Sequence, residues 1–304
     1  GTKRSSLEGL DGTMGGIWIK DGTLRLAEAT VTNMNDLVLG PTAQSTYLTP
    51  FLVITNGSRV VQMAGGAIVG KASAYYTVKN HAVIVAGAHP VSVAKATWDL
   101  GNSALHIGLT ANPSTVISNS VTVASGGMIT NAASIIVGSG SGGSYQKMTI
   151  ANGGQVHCTG MTVGGSQSFA AADVLNGSLL RVGGATLTIG SRGDILVEGC
   201  QLTISDSIVT NVSNFTVGTA GGNAAYATNN QATISNGGKL YSTGSATIGT
   251  MTAGGNIVGA YRNSVRVTGI GTLWNAGGGA LSIGLSSQGN TQENLLWIGL
   301  EGSV

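Results

Sequence analysis

Proline, charge and cysteine are all scarce in this sequence, and each scarcity removes a class of protein. Four prolines and no Gly-X-Y period exclude a collagen triple helix, despite 50 glycines in 304 residues. Charged side chains make up 9%, against about 25% in ordinary globular domains. Apart from Lys3-Arg4 the 14 Lys and Arg are scattered singly and leave a net charge of +2, so the basic stripe that a phosphate backbone requires is missing and nucleic acid is not expected as a partner. Two cysteines, Cys158 and Cys200, are too few for a disulfide framework and do not form a CxxC pair. No apolar run reaches 18 residues, which excludes a transmembrane helix. Disorder is excluded by composition, since 42% of residues are hydrophobic and the mean hydropathy is +0.26.

What the sequence does contain is a repeat. The phrase apolar-x-Val/Ile/Leu-Gly occurs nine times: at Leu37–Gly40, Ala67–Gly70, Leu105–Gly108, Ile135–Gly138, Met161–Gly164, Leu187–Gly190, Phe215–Gly218, Ala246–Gly249 and Leu281–Gly284. Its closing glycines are 26 to 38 residues apart, with a mean of 30.5. A second phrase, a short strand ending in a turn, precedes it at Val53–Ser58, Val121–Gly127, Met148–Gly154 and Ala232–Gly238. Its Asn-Gly and Ser-Gly pairs tolerate the positive φ that sharp corners need. From turn glycine to closing glycine the distance is 11 to 13 residues, and the return path is 15 to 19, so length variation is expected on one side of the unit.

Inside each phrase apolar residues alternate with Thr or Ser, the period-2 pattern of a strand with one buried face. Glycine and β-branched residues oppose helix, and no long segment shows a 3.6-residue period. Units of about 30 residues with two or three strands of three to five residues cannot bury their own apolar faces, so they must stack. The expectation is an all-β, single-stranded parallel β-helix of about nine coils, about 43 Å long. It places Leu39, Val69, Ile107, Val137, Val163, Ile189, Val217, Ile248 and Ile283 in one interior column, with Thr162, Thr188, Thr216 and Thr247 outside. A propeller or sandwich is the alternative, but these use longer antiparallel strands and tight hairpins. The expected division is an N-terminal arm over 1–16 and a solenoid over 17–304 that ends in an incomplete coil.

The words Met148-Thr-Ile-Ala-Asn-Gly-Gly-Gln-Val, Ala232-Thr-Ile-Ser-Asn-Gly-Gly-Lys-Leu and Val265-Arg-Val-Thr-Gly-Ile-Gly-Thr-Leu-Trp-Asn resemble the repeats of bacterial autotransporter passengers and related secreted β-helical surface proteins. The resemblance covers about residues 30 to 299 and implies a right-handed β-helix at the cell surface or beyond. Family members act as adhesins, scaffolds or carriers of enzymatic loops. Gly1-Thr-Lys-Arg lacks a signal peptide's apolar stretch, so an exported chain implies a leader already cleaved. In departure from the autotransporter pattern, no translocating barrel follows Val304 in this sequence.

Catalysis is not expected. Glycoside hydrolysis needs two carboxyl groups about 5 to 9.5 Å apart across one cleft. Acids are sparse here, with none from residue 100 to 172, and the best cluster, Asp194, Glu198 and Asp206 beside Arg192, puts its first two about 13 Å apart on a strand. No metal or cofactor is expected either. His81, His89, His106 and His157 are dispersed, and adjacent His157 and Cys158 point to opposite faces of a strand. The glycine run Gly138–Gly143 lacks the Lys-Ser/Thr and helix of a phosphate loop.

Two groups of residues are candidates for binding. Tyr145, Tyr226 and Tyr261 each follow a Gly-Gly in the variable corner, where a flank of tyrosines would suit a glycan or a lateral protein contact. Trp98, Trp274 and Trp297 are expected to cap or wedge between coils. At the ends, Leu296, Trp297 and Ile298 match Ile17 and Ile19, so Leu296 and Ile298 of one copy are expected to stack on Ile17, Ile19 or the arm of the next. The expected function is therefore a structural extracellular solenoid forming a homo-oligomer or homopolymer, with a carbohydrate-binding adhesin as the alternative.

Overall fold

The computed structural model describes residues 15–40, 49–72, 77–110, 115–139, 143–164, 170–176, 178–182, 187–189, 199–220, 226–251, 259–286 and 290–304. Residues 1–14 of the expected arm lie outside these, as do Arg192, Asp194 and Glu198. Among the described residues there is no helix, and every pairing between strands is parallel. The chain is a β-solenoid.

One face is a ladder of ten strands, from Thr23–Ala27 through Phe51–Thr55, Ser120–Ala124 and Gln231–Ser235 to Leu295–Ile298. The coil count thus differs slightly from the nine expected, because the chain is already in register at Ile17–Ile19 and Thr23–Ala27, before the first closing glycine. The second face is a sixteen-stranded sheet with two arms. In three consecutive coils the arms are continuous, giving strands Thr97–Thr110, Met128–Ser139 and Gln155–Val163 instead of the short segments expected. The continuity hides a kink. Register slips between Asp99 and Ser103, Ile129 and Ala132, Val31 and Met34, and Val209 and Val212. Asn102, Asn131, Asn33 and Asn211 sit in those slips at φ of 62, 53, 59 and 59°, the left-handed region that asparagine enters more easily than most residues.

Eight of the nine expected column residues are fully buried, and each stacks on its counterpart in the next coil, as Ile107 on Val137 and Val137 on Val163. The ninth, Ile283, is 47% exposed because no described layer lies over it. Thr162, Thr216 and Thr247 lie on the outer side, half-buried. Trp98 and Trp274 are wholly interior, and interior polar groups satisfy their indole N–H: Trp98 Nε1 donates to Gln62 Oε1 at 3.0 Å and Trp274 Nε1 to Ser242 Oγ at 3.3 Å. Trp297 is different. It lies on the lateral surface with the Arg266 guanidinium 4.2 Å from its ring centroid.

Length variation is not confined to one side. Between Gly70 and Gly108, the widest interval, residues 88–95 leave the tight-turn side as an excursion closed by an antiparallel bridge from Ala88 to Lys95. His89 Nδ1 accepts the N–H groups of Val91 and Ser92, at 3.2 and 3.0 Å, which fixes its shape.

Candidate functional site

The corner that leads into the ten-strand face carries a column of polar side chains that sequence reasoning did not single out. Its positions, at or just before the start of each strand, are His81, Asn119, Gln146, Cys200, Asn230, Asn263 and Asn294, with apolar Ala170 interrupting the run between Gln146 and Cys200. Asn119 Oδ1 accepts from His81 N at 2.9 Å, and Gln146 Oε1 accepts from Asn119 N and Nδ2 at 3.1 and 3.0 Å. Three coils on the pattern returns: Asn263 Oδ1 accepts from Asn230 N and Nδ2 at 3.2 and 2.8 Å, and Asn294 Oδ1 accepts from Asn263 N and Nδ2 at 3.1 and 2.9 Å. Each amide satisfies backbone that a corner leaves unpaired. The closing glycine of the sequence phrase makes room for it. A Cβ at Gly218, where φ is +75°, would fall on the Asn263 amide.

Buried titratable groups in this interior are held neutral. His81 is fully buried with Nδ1 2.8 Å from Asn119 Oδ1, and desolvation, partly offset by that bond, lowers its pKa to about 4. Cys158 and Cys200 are free thiols in different columns, and burial pushes them to about 12 and about 11. Such thiols are poor nucleophiles. No group of three metal-ligating side chains occurs among the described residues, nor does a helix long and apolar enough to cross a membrane.

The tyrosines divide. Tyr226 and Tyr261 lie on adjacent coils with ring centroids 6.3 Å apart and planes tilted by 31°. Tyr145 occupies a left-handed corner position at φ 58°, 52% exposed, and the ladder register sets it three coils away, about 14 Å along the axis.

The end residues divide as well. Ile17 and Ile19 are buried within the single chain, and the register runs their column to Leu281 and Ile283. Leu296 and Ile298 belong to the column that begins at Leu24 and Leu26 on the other face. Leu281, Ile283, Leu285, Leu295, Ile298 and Leu300 are between 38% and 89% exposed, whereas Leu296 is half-buried against the core.

The kinks create a groove on the outer surface. It runs along the axis across five coils, with a volume of about 620 Å³, past Asn102, Asn131, His157, Thr159, Arg181 and Asn211. Desolvation, then the nearby Arg181 and Lys95, push the His157 imidazole below its usual range, and its buried Nε2 has no hydrogen-bond partner. No family model, curated protein or solved structure matches the chain.

Proposed function

We propose that this chain is a structural, non-catalytic β-solenoid of the extracellular space that adds end to end to copies of itself, forming a filament or coat. The observation that supports the reading is the exposed last layer. Ile248 and Val267 are fully buried, and the residues directly above them, Ile283 and Ile298, are 47% and 49% exposed. At the opposite end Leu24, Leu26 and Val31 are half-buried, while their neighbours Leu52, Ile54 and Val60 are fully buried. On the ten-strand face the two ends present apolar residues at corresponding points of one cross-section, so translation of a second copy along the axis continues that column. Because Ile17 and Ile19 are covered, and Ser303 pairs over Leu273 and Trp274, this contact uses Leu24 and Leu26 on one copy, facing Leu296 and Ile298 on the other, with exposed Ile283 in the same end layer. Such a head-to-tail contact is heterologous and propagates unless rotation closes it.

The adhesin reading keeps one supporting observation, the Tyr226–Tyr261 pair, whose tilted rings on adjacent coils offer a stacking surface to a sugar.

Sedimentation velocity tests the leading reading. The chain should shift to larger species as concentration rises, and Ile283→Lys with Ile298→Lys, both at exposed positions, should remain monomeric with unchanged melting. A chain that is monomeric at every concentration, or a double variant that assembles like the parent, would overturn it.

A further inference from the structure

We propose that the groove at the kinks binds an acidic polysaccharide laid along the solenoid axis. This site is separate from the exposed end, and its occupation does not depend on assembly. Three features fix the class of ligand. The first is shape: the lining is drawn from five successive coils, from Asn102 to Asn211, so at about 4.8 Å per coil the groove extends about 19 Å and suits an extended chain of repeating units. The second is hydrogen bonding. Asn131 Nδ2 donates to Asp99 Oδ1 at 2.9 Å, which orients that amide, while the Asn102 and Asn211 side chains have no hydrogen bond among the described residues. With the Thr159 hydroxyl they supply the donors and acceptors that sugar hydroxyls require.

The third feature is charge. Arg181 is exposed and forms no ion pair among the described residues, Lys95 lies near enough to act on His157, and the described lining holds no carboxylate of its own, the Asp99 carboxylate beside it being taken up by the Gly101 N–H and Asn131 Nδ2 at 3.1 and 2.9 Å. A guanidinium without a partner matches a carboxylate or sulfate in bidentate fashion. The same inventory disfavours other polymers. Single-stranded nucleic acid needs aromatic platforms and a train of cations, and the described lining has neither; an extended peptide needs a free strand edge or apolar pockets, and here every described lining strand is already paired.

Fluorescence anisotropy with labelled oligomers provides the test. The probes are a galacturonate oligomer, its methyl ester, a sulfated oligosaccharide and an oligothymidylate of similar length. Binding of the carboxylated or the sulfated oligomer is expected, weakened by salt, with the ester and the DNA bound far less. Arg181→Ala should weaken binding about tenfold, as for loss of one charge-assisted hydrogen bond. Asn211→Asp, which puts a carboxylate into the groove at an exposed position, should weaken it at least as much. Both variants should keep the parent's melting temperature and its sedimentation behaviour. Failure of both acidic oligomers to bind, equal binding of the ester or the DNA, or binding insensitive to both substitutions would overturn the proposal.

Discussion

Replacing Asn263 by Ala removes the centre of the longer run of corner amides. The side chain is fully buried; its Nδ2 donates to Ala227 O at 2.8 Å as well as to Asn294 Oδ1, and its Oδ1 accepts two bonds from Asn230. Truncation leaves the Asn230 N–H and the Asn230 Nδ2 buried without their acceptor, while the Ala227 carbonyl keeps its bond within the strand ladder. At about 1 kcal/mol apiece, the low end for an unsatisfied buried group, the loss is about 2 kcal/mol. Urea unfolding followed by the fluorescence of buried Trp274 measures it, with Thr216→Ala on the outer face of the same region as the control. A cost for Asn263→Ala below about 1 kcal/mol, or one equal to that of Thr216→Ala, would refute the view that these amides hold the corners.

Val163→Asp should unfold the neighbouring coils in thermal melts, since an unpaired carboxylate in the stacked core has neither water nor partner, whereas Thr162→Asp should cost less than about 1 kcal/mol. Gly218→Ala forces a Cβ onto Asn263 at a positive φ and should lower stability by about 2 kcal/mol. His81 binds its proton more weakly folded than unfolded, so its contribution is complete above about pH 6.5 and is lost as pH falls toward about 4, by up to about 3 kcal/mol. Stability curves of the parent and of His81→Asn should therefore diverge over that window; parallel curves would contradict the assignment. Cys158 and Cys200 should be alkylated equally in denaturant with and without reductant, and slowly in the native state.

How much of this was legible in the sequence depended on the type of signal. The interior column could be read from the phrase ending in glycine because one period places Leu39 through Ile248 on one inward line, and only Ile283, with no described layer above it, departs. The kinks were missed because Asn enters the left-handed region without breaking the alternation around it. Their signature was present as Thr-Asn-apolar at Thr32–Met34, Thr130–Ala132 and Thr210–Val212. The corner column was harder to see, since His81, Asn119, Gln146, Cys200 and Asn263 share a place but not a residue type and follow segments of unequal length. The groove needed three dimensions, because the ladder register alone brings Arg181 beside His157. End pairing also required the register, which aligns Ile17 with Leu281 and Leu24 with Leu296 instead of Ile17 with Leu296.

Electron microscopy of the purified chain at increasing concentration tests the central claim, assembly along the axis, most directly. The account predicts rods of constant width that lengthen in steps of about 48 Å, one ten-layer solenoid per added copy, and that stay single when Ile283 and Ile298 are both lysine. Isolated single-length rods at all concentrations, or side-by-side sheets without axial growth, would contradict it.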